Sequence, residues 1–300
     1  MLQTHAVPAP GDIPFARGTM RMGLGPLGPA EWIDVGEDRR FQMAEKRRLL
    51  GERRREVLAS LPGSEAACRE TLALLRDNLS RFHPGLLQSG PEGGVDEPGL
   101  HPLEIAGRLV QEDFCVLEPG ERAYRLTAGC VCFPSNWSLS DKLGRVLDEI
   151  HGPVPGFREA LGSPVDRFFA RLAPGQVVGR LNWLIHDSPA LFQFGRNPAP
   201  PDLTPENAGD TLWLRTERQV LQRLPEGGAV LFTIRTRARP LREAVASPAK
   251  AAELAAALRA MPPALQAYRH MGPIGDALLA WLDRGAAGAP RPSSSAPDAI

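Results

Sequence analysis

The chain is poor in cysteine, in net charge and in long apolar runs. Four cysteines in 300 residues are too few for a disulfide scaffold in a chain of this size. Lysine plus arginine and aspartate plus glutamate number 35 each, so no overall field draws the chain to nucleic acid or anionic lipid. No apolar run approaches the roughly 20 residues that cross a bilayer, and residues 1–11 lack the basic-then-apolar order of a secretory signal. We therefore expect a cytoplasmic protein.

The motifs of several enzyme classes are also missing. The sequence contains no Walker loop, dinucleotide fingerprint, zincin motif or Gly-x-Ser-x-Gly elbow. It therefore does not support a phosphate-binding loop or a hydrolase with a catalytic triad. Cys130 and Cys132 place two thiols on one face of a predicted strand, but no second cysteine or histidine pair lies at zinc-ligand spacing. Cys132 stays open as a thiolate ligand of haem iron, beside its interpretation as a small buried apolar residue.

What is present indicates one mixed domain with helical flanks. The predicted divisions are an extended segment at 1–40, a single domain at 41–283 whose central part is about 113–240, and a disordered tail at 284–300. Apolar spacing predicts helices at 41–61, from Ser64 to Phe82, at 105–111, and over 247–283, with a loop at 83–98.

The central part has the order strand–strand–helix–helix–strand–strand–strand. Strands are predicted at 114–117, 124–133, 177–186, 211–224 and 228–238. The hairpin turn sequence Pro225-Glu226-Gly227-Gly228 joins the last two. This order resembles a Per-ARNT-Sim (PAS) domain, which holds a ligand between helices and an antiparallel sheet. The predicted fold class is therefore α+β, with a PAS-like antiparallel sheet, ligand-binding helices, and additional helices flanking it at both ends.

The segment 138–155 holds the strongest candidate for chemistry. Its apolar residues fall at helical spacing, at Leu139, Leu143, Val146, Leu147 and Ile150. Ser138 with Asp141 offers a capping box, and Gly152 and Pro153 stop the predicted helix just after His151. A neutral imidazole there can bind a metal or haem iron. The alternative is a cationic cap on the last helical turn, where the helix dipole favours positive charge.

Other polar residues of the late strands admit two interpretations. His186 ends a strand beside Asp187 and is either a second ligand or a turn contact. The arginines of these strands, Arg215, Arg218, Arg223, Arg235 and Arg237, either form exposed cross-strand pairs with Glu217 or include one or two that face a pocket. An inward guanidinium would suit haem propionates or iron-bound dioxygen.

Several short segments of the sequence, taken in order along the chain, match the pattern of a known family. They are Arg21-Met22-Gly23-Leu24, Val110-Gln111-Glu112-Asp113-Phe114, Cys132-Phe133-Pro134-Ser135-Asn136-Trp137, Lys142-Leu143-Gly144, Ile150-His151-Gly152-Pro153-Val154-Pro155, Arg180-Leu181-Asn182-Trp183, Arg215-Thr216-Glu217-Arg218-Gln219 and Arg223-Leu224-Pro225. Over about residues 14–270, the chain resembles the alpha subunit of the haem-dependent oxidative N-demethylase family.

The resemblance implies a PAS-like haem domain wrapped by extra helices. It implies oxygen-dependent removal of a methyl group from a small secondary amine such as dimethylamine, with release of formaldehyde. The cofactor is haem b, and electrons come from NADPH through separate reductase subunits that carry FMN and a 2Fe-2S cluster. Motifs for those redox groups are absent here, which is consistent with a haem subunit. A haem-binding gas or redox sensor without turnover, or a binding protein for another ligand, is the alternative.

The resemblance also implies a cofactor site around His151. This residue becomes the proximal haem ligand, with a ring N–H bonded to a backbone carbonyl near Pro153. Lys142, Trp137 and Trp183 complete the expected cofactor-binding set, and each tryptophan could instead belong to the core.

On the opposite side of the haem, strand residues are expected to polarise bound oxygen. Arg218 is the first choice, followed by Arg180 and Asn182, because a cationic donor stabilises developing negative charge in a site poor in water. Glu217 or another carboxylate is expected to hold the substrate ammonium.

Overall fold

One antiparallel sheet organises the part of the chain that the computed structural model describes, namely residues 15, 22–88, 99–121, 123–158, 163–195 and 200–288. Its strands are β1 (Gly25–Leu27), β2 (Leu58–Ser60), β3 (Asp113–Pro119), β4 (Tyr124–Cys130), β5 (Val177–His186), β6 (Trp213–Arg223) and β7 (Val230–Pro240). They pair in the order β1-β5-β6-β7-β3-β4-β2. The α+β class is confirmed, and the five predicted strands of the central part all form.

Short and medium helices surround this sheet. They are α1 (Arg39–Glu52), α2 (Arg54–Val57), α3 (Glu65–Phe82), α4 (Pro84–Gln88), α5 (Pro102–Leu109), α6 (Leu139–Lys142), α7 (Leu147–Ile150), α8 (Ser163–Arg171), α9 (Ala208–Thr211), α10 (Leu241–Ala244), α11 (Pro248–Arg259), α12 (Pro263–Tyr268) and α13 (Gly275–Ala286). Among the described helices, none has the length and apolar character needed to cross a bilayer.

The sheet separates two layers of helices, because alternate residues of a strand face opposite sides. Side chains of α6, α7 and α8 pack against the face that carries Cys115, Val178 and Leu221. We call this the inner face. The outer face packs against α1, α3 and α5 around Phe114, and against the C-terminal helices around Trp183.

The flanking segments differ from the predictions at several boundaries. The helix predicted at 41–61 ends early, because Leu58 turns into β2 and pairs with Cys130 on the free edge of β4. The predicted loop at 83–98 begins with α4, and the helix predicted at 247–283 is three helices. The last of these continues to Ala286, past the predicted start of the tail. Residues 1–14, 16–21, 89–98 and 289–300 lie outside the described residues, and with them half of the predicted N-terminal segment and most of the predicted tail.

The single helix predicted before His151 is wrong. Gly144 adopts a φ of +81°, a left-handed conformation that glycine accepts readily, and it separates α6 from α7. Around this break the backbone bonds to β4 instead: Gly144 N donates to Leu126 O at 2.7 Å, and Leu126 N donates to Arg145 O at 3.0 Å. His151 therefore follows a one-turn helix that is held against the sheet.

Candidate functional site

His151 is fixed in orientation by two contacts. Its Nδ1 lies 2.9 Å from the carbonyl oxygen of Leu147, and its ring stacks on Phe157 with centroids 4.3 Å apart and planes 11° apart. A carbonyl oxygen only accepts, so Nδ1 carries the proton and a neutral ring keeps the lone pair on Nε2. The predicted hydrogen bond from the His151 ring to a backbone carbonyl near Pro153 is wrong. The backbone partner lies four residues before His151, in the turn of α7 that the histidine ends.

The environment of His151 favours the neutral ring. Burial is the main cause that lowers its pKa to about 4, and the positive charges of Lys142 and Arg180 act in the same direction. A ring that is neutral near physiological pH is the form that binds metals. The cationic helix cap does not fit this environment.

A cleft adjoins the imidazole. All of its lining residues, among them His151, Val154 and Phe157, belong to the segment 148–158, and its volume is about 370 Å³. This lies within the range of about 300–1,000 Å³ that is usual for small-molecule sites. The histidine therefore borders a space in which a ligand can sit.

Polar side chains gather on the inner face of β5 and β6. Arg180 lies directly opposite Gln219, and Asn182 directly opposite Glu217. Arg180 Nε donates to Gln219 Oε1 at 2.7 Å, and Gln219 Nε2 donates to Glu217 Oε2 at 2.8 Å. Asn182 Nδ2 donates to the same oxygen at 3.3 Å, while Ser135 Oγ donates to Glu217 Oε1. We call these five residues the inner-face polar cluster.

Glu217 is an ionised carboxylate at the centre of this cluster. Burial alone would raise its pKa, but the charge of Arg215 and the three side-chain hydrogen bonds bring the pKa below its usual value. Arg215 shares the inner face because it lies two residues before Glu217 on the same strand. The carboxylate thus already has a buried counter-charge.

Arg215 also shapes the loop that carries Ser135. Its guanidinium donates to the carbonyl oxygens of Phe133 at 2.6 Å and Leu191 at 3.0 Å. Sequence reasoning missed the roles of Arg215, Ser135 and Gln219. Their signals were available: two follow the same alternation as Glu217, and Ser135 lies in one of the segments quoted for the resemblance.

Lys142 and Trp137 form a pair beside the cluster. Lys142 Nζ lies 4.2 Å from the centroid of the Trp137 ring. Burial lowers the pKa of Lys142, against the opposing charge of Glu217, and burial likewise lowers the pKa of Arg180. Neither cation has a carboxylate within ion-pair distance among the ion pairs of the described residues. The guanidinium of Arg180 is held by neutral acceptors, Gln219 Oε1 and the Met22 carbonyl oxygen at 3.2 Å from Nη1, so its charge has no ion-pair partner there.

Arg218 and Trp183 lie on the outer face, so these two site predictions need correction. Arg218 pairs with Leu181, and its guanidinium donates to the carbonyl oxygens of Trp32, at 3.1 Å, and Glu31. Trp183 packs edge-on against Phe15 among the C-terminal helices. Neighbouring residues of a strand point to opposite faces, so Arg218 cannot share a pocket with Glu217.

Arg218 is expected to matter for stability and not for ligand binding. Replacing it with methionine leaves two carbonyl groups without their buried donor, and should lower the free energy of unfolding by about 1–3 kcal/mol. Haem content and amine affinity should match the wild-type chain. Urea unfolding together with a haem titration tests this, and a selective loss of amine binding would contradict the outer-face assignment.

The remaining candidate ligands are less suitable. His186, whose Nδ1 is hydrogen-bonded to the Gln193 side chain, is not among the residues that line the cleft beside His151. Burial raises the pKa of the Cys132 thiol well above its usual value, whereas an iron ligand must be a thiolate. No group of three or more His, Cys, Asp or Glu that could hold a metal ion occurs in the part of the chain described above. Among the candidate ligands, His151 is the one that combines a neutral ring with a position beside the cleft.

The chain matches a known protein family over most of its length. Residues 23–279 correspond to the family described as haem-dependent oxidative N-demethylase, alpha subunit-like. The matched region includes His151 and the whole inner-face polar cluster.

Proposed function

The chain belongs to the haem-dependent oxidative N-demethylase, alpha subunit-like family, and from this premise we propose that it is the haem subunit of an enzyme that demethylates a small secondary amine such as dimethylamine. Formaldehyde is the expected product of the methyl group. We further propose that electrons come from NADPH through partner subunits carrying FMN and a 2Fe-2S cluster. Within this proposal, residues 41–283 form a single PAS-like haem domain, with its ligand between α6–α8 and the inner face.

The residues present fit a haem. His151 is a neutral imidazole with Nδ1 bonded to a backbone carbonyl, an arrangement that orients a metal-binding ring and raises its basicity. Haem b also carries two propionates, and the charges of Lys142 and Arg180 both act on His151, while neither has a carboxylate within ion-pair distance among the described residues. This combination of one free nitrogen donor and two partly buried cations without an ion-pair partner is the observation that carries the proposal.

When bound, the haem supplies the activation of dioxygen that oxidises the methyl group. The protein's own contribution is to bind and orient the other components. His151 would hold the iron, Lys142 and Arg180 would hold the propionates, and Glu217 with Asn182 would contact the amine. Because Ser135, Asn182 and Gln219 hold the Glu217 carboxylate by hydrogen bonds, the amine meets a preorganised acceptor.

Formaldehyde production tests the proposal. The purified haem-loaded chain is supplied with dimethylamine, oxygen and a chemical reductant, and formaldehyde is measured against reactions that omit one component. We expect formaldehyde in the complete mixture and none without amine or oxygen. A chain that binds oxygen or carbon monoxide but forms no formaldehyde with any reductant would instead be the sensor.

Lys142→Met is expected to weaken haem binding about tenfold, the equivalent of about 1.4 kcal/mol. The variant keeps the apolar stem near Trp137 and removes the charge that would meet a propionate. Haemin titration of the apoprotein measures the affinity. Lys250→Met, on α11 beside the outer face, is the matched control and should bind haem like the wild-type chain. Equal affinities in both variants would remove Lys142 from the haem site.

A further inference from the structure

Positive charge exceeds negative charge around the inner-face polar cluster. The Glu217 carboxylate acts electrostatically on four cations, Lys142, Arg180, Arg215 and Arg269. Two further carboxylates act on these cations, and both lie at the edge of the cluster. Asp113 acts on Arg215 but pairs with the buried Lys46, and Asp141 acts on Lys142 from the exposed side of α6.

A bound haem would not reverse this excess. Two propionates would neutralise Lys142 and Arg180, which leaves Arg215 on the inner face to balance the single charge of Glu217. Arg269 adds positive charge from the outer face, where its guanidinium lies over the Trp183 ring. An ammonium ion placed there would meet a carboxylate whose charge is already balanced, together with further positive charge nearby. Like charges disfavour the protonated form of a nearby amine.

The hydrogen bonds of Glu217 limit what else it can accept. A carboxylate offers about four lone-pair positions. Ser135 fills one on Oε1, and Asn182 and Gln219 fill those on Oε2. One acceptor position therefore remains, on Oε1. An uncharged secondary amine has one N–H to donate, whereas its ammonium form has two.

We propose that the substrate amine binds to the inner-face polar cluster as the uncharged base, donating its N–H to Oε1 of Glu217. The inference rests on the proposed function and names the form of the substrate. A dialkylammonium ion releases one proton to water and the resulting free amine enters the site. The bound amine keeps its nitrogen lone pair, and permanent cations such as tetramethylammonium are excluded.

The pH dependence of amine binding tests this directly. Dimethylamine is titrated calorimetrically into the haem-loaded ferrous chain with carbon monoxide on the iron, so that the amine cannot bind the metal. Between about pH 7 and about pH 9 the dissociation constant should fall about tenfold per pH unit, because the free-base fraction rises by that factor below the amine's own pKa. Tetramethylammonium should not bind. A dissociation constant independent of pH, or comparable binding of tetramethylammonium, would overturn the inference.

Glu217→Gln separates the two forms of the substrate further. A side-chain amide can exchange a hydrogen bond with a neutral amine, which both donates and accepts, but it cannot balance an ammonium charge. We expect the dissociation constant to rise by less than about tenfold with the same pH slope. A rise above about a hundredfold would indicate a bound ammonium ion.

Failure of this inference differs from failure of the proposed function. Formaldehyde production with pH-independent amine binding overturns the uncharged-base inference alone. Absence of dimethylamine binding at every pH, with haem fully bound, overturns both.

Discussion

Purified His151→Ala is expected to lose the Soret absorption of bound haem, with haem affinity falling by more than about a hundredfold. The wild-type imidazole is neutral, is oriented by the Leu147 carbonyl, and stacks on Phe157. Alanine has no nitrogen donor, and neither the Leu147 carbonyl nor the Phe157 ring can bind the iron in its place. A haemin titration of apoprotein, followed by absorbance, measures the change.

His186→Ala is the matched control for this experiment. Burial lowers the pKa of His186 as it does that of His151, and Nδ1 is hydrogen-bonded in both rings, but His186 does not line the cleft beside His151. Its removal should leave the Soret band in place. Free imidazole should restore the band in a His151→Gly variant, which has room for the added ring. An unchanged spectrum in His151→Ala, or loss of the band in His186→Ala, would remove His151 as the iron ligand.

Periodicity predicted the large elements of the fold well. The strand at 177–186 alternates polar and apolar residues, and the structure places Arg180 and Asn182 on the inner face with Trp183 on the outer face. Such alternation follows from local backbone geometry, so it is visible in the sequence. The hairpin at Pro225–Gly228 is equally local, with Gly228 at a φ of +68°.

Features that depend on contacts between segments far apart in the sequence could not be predicted from periodicity. The helical spacing from Leu139 to Ile150 contains no sign that Gly144 and Arg145 bond to Leu126 of β4. Arg218 and Glu217 could have been separated from alternation alone, since they are adjacent on one strand. Alternation does not tell which of these two residues lies on the inner face. The structure decides this, because Arg218 donates to the carbonyl oxygens of Glu31 and Trp32 on the outer face.

The segment Gln111-Glu112-Asp113 shows that a segment quoted for a resemblance need not touch the ligand. Gln111 Nε2 donates to Asp38 at 3.0 Å, and the Glu112 carboxylate accepts from the backbone of Asp34 at 2.8 Å. Asp113 Oδ1 pairs with Lys46 Nζ at 3.2 Å. These bonds attach the N-terminal segment and α1 to β3, so the segment stabilises the fold.

Lys46→Met is therefore expected to lower the free energy of unfolding by about 3–5 kcal/mol. Both side chains of the Lys46–Asp113 pair are fully buried. Burial opposes the ammonium charge, and Asp113 keeps the pKa of Lys46 above its usual value. Methionine fills a similar volume but leaves the Asp113 charge buried without its partner. Urea unfolding measures the loss.

The double variant Lys46→Met with Asp113→Leu separates charge from packing. Removing both charges should recover much of the lost stability, but not all, because Asp113 Oδ2 also accepts from the backbone N–H of Phe133 at 2.7 Å. Lys250→Met is the surface control: its partner Glu253 is 3.2 Å away, and exposed pairs contribute about 0–1 kcal/mol. Equal destabilisation by Lys46→Met and Lys250→Met would contradict this assignment. Since Phe133 begins the loop that brings Ser135 to Glu217, Lys46→Met should also weaken amine binding, which links the ion pair on one side of the loop to the polar cluster on the other.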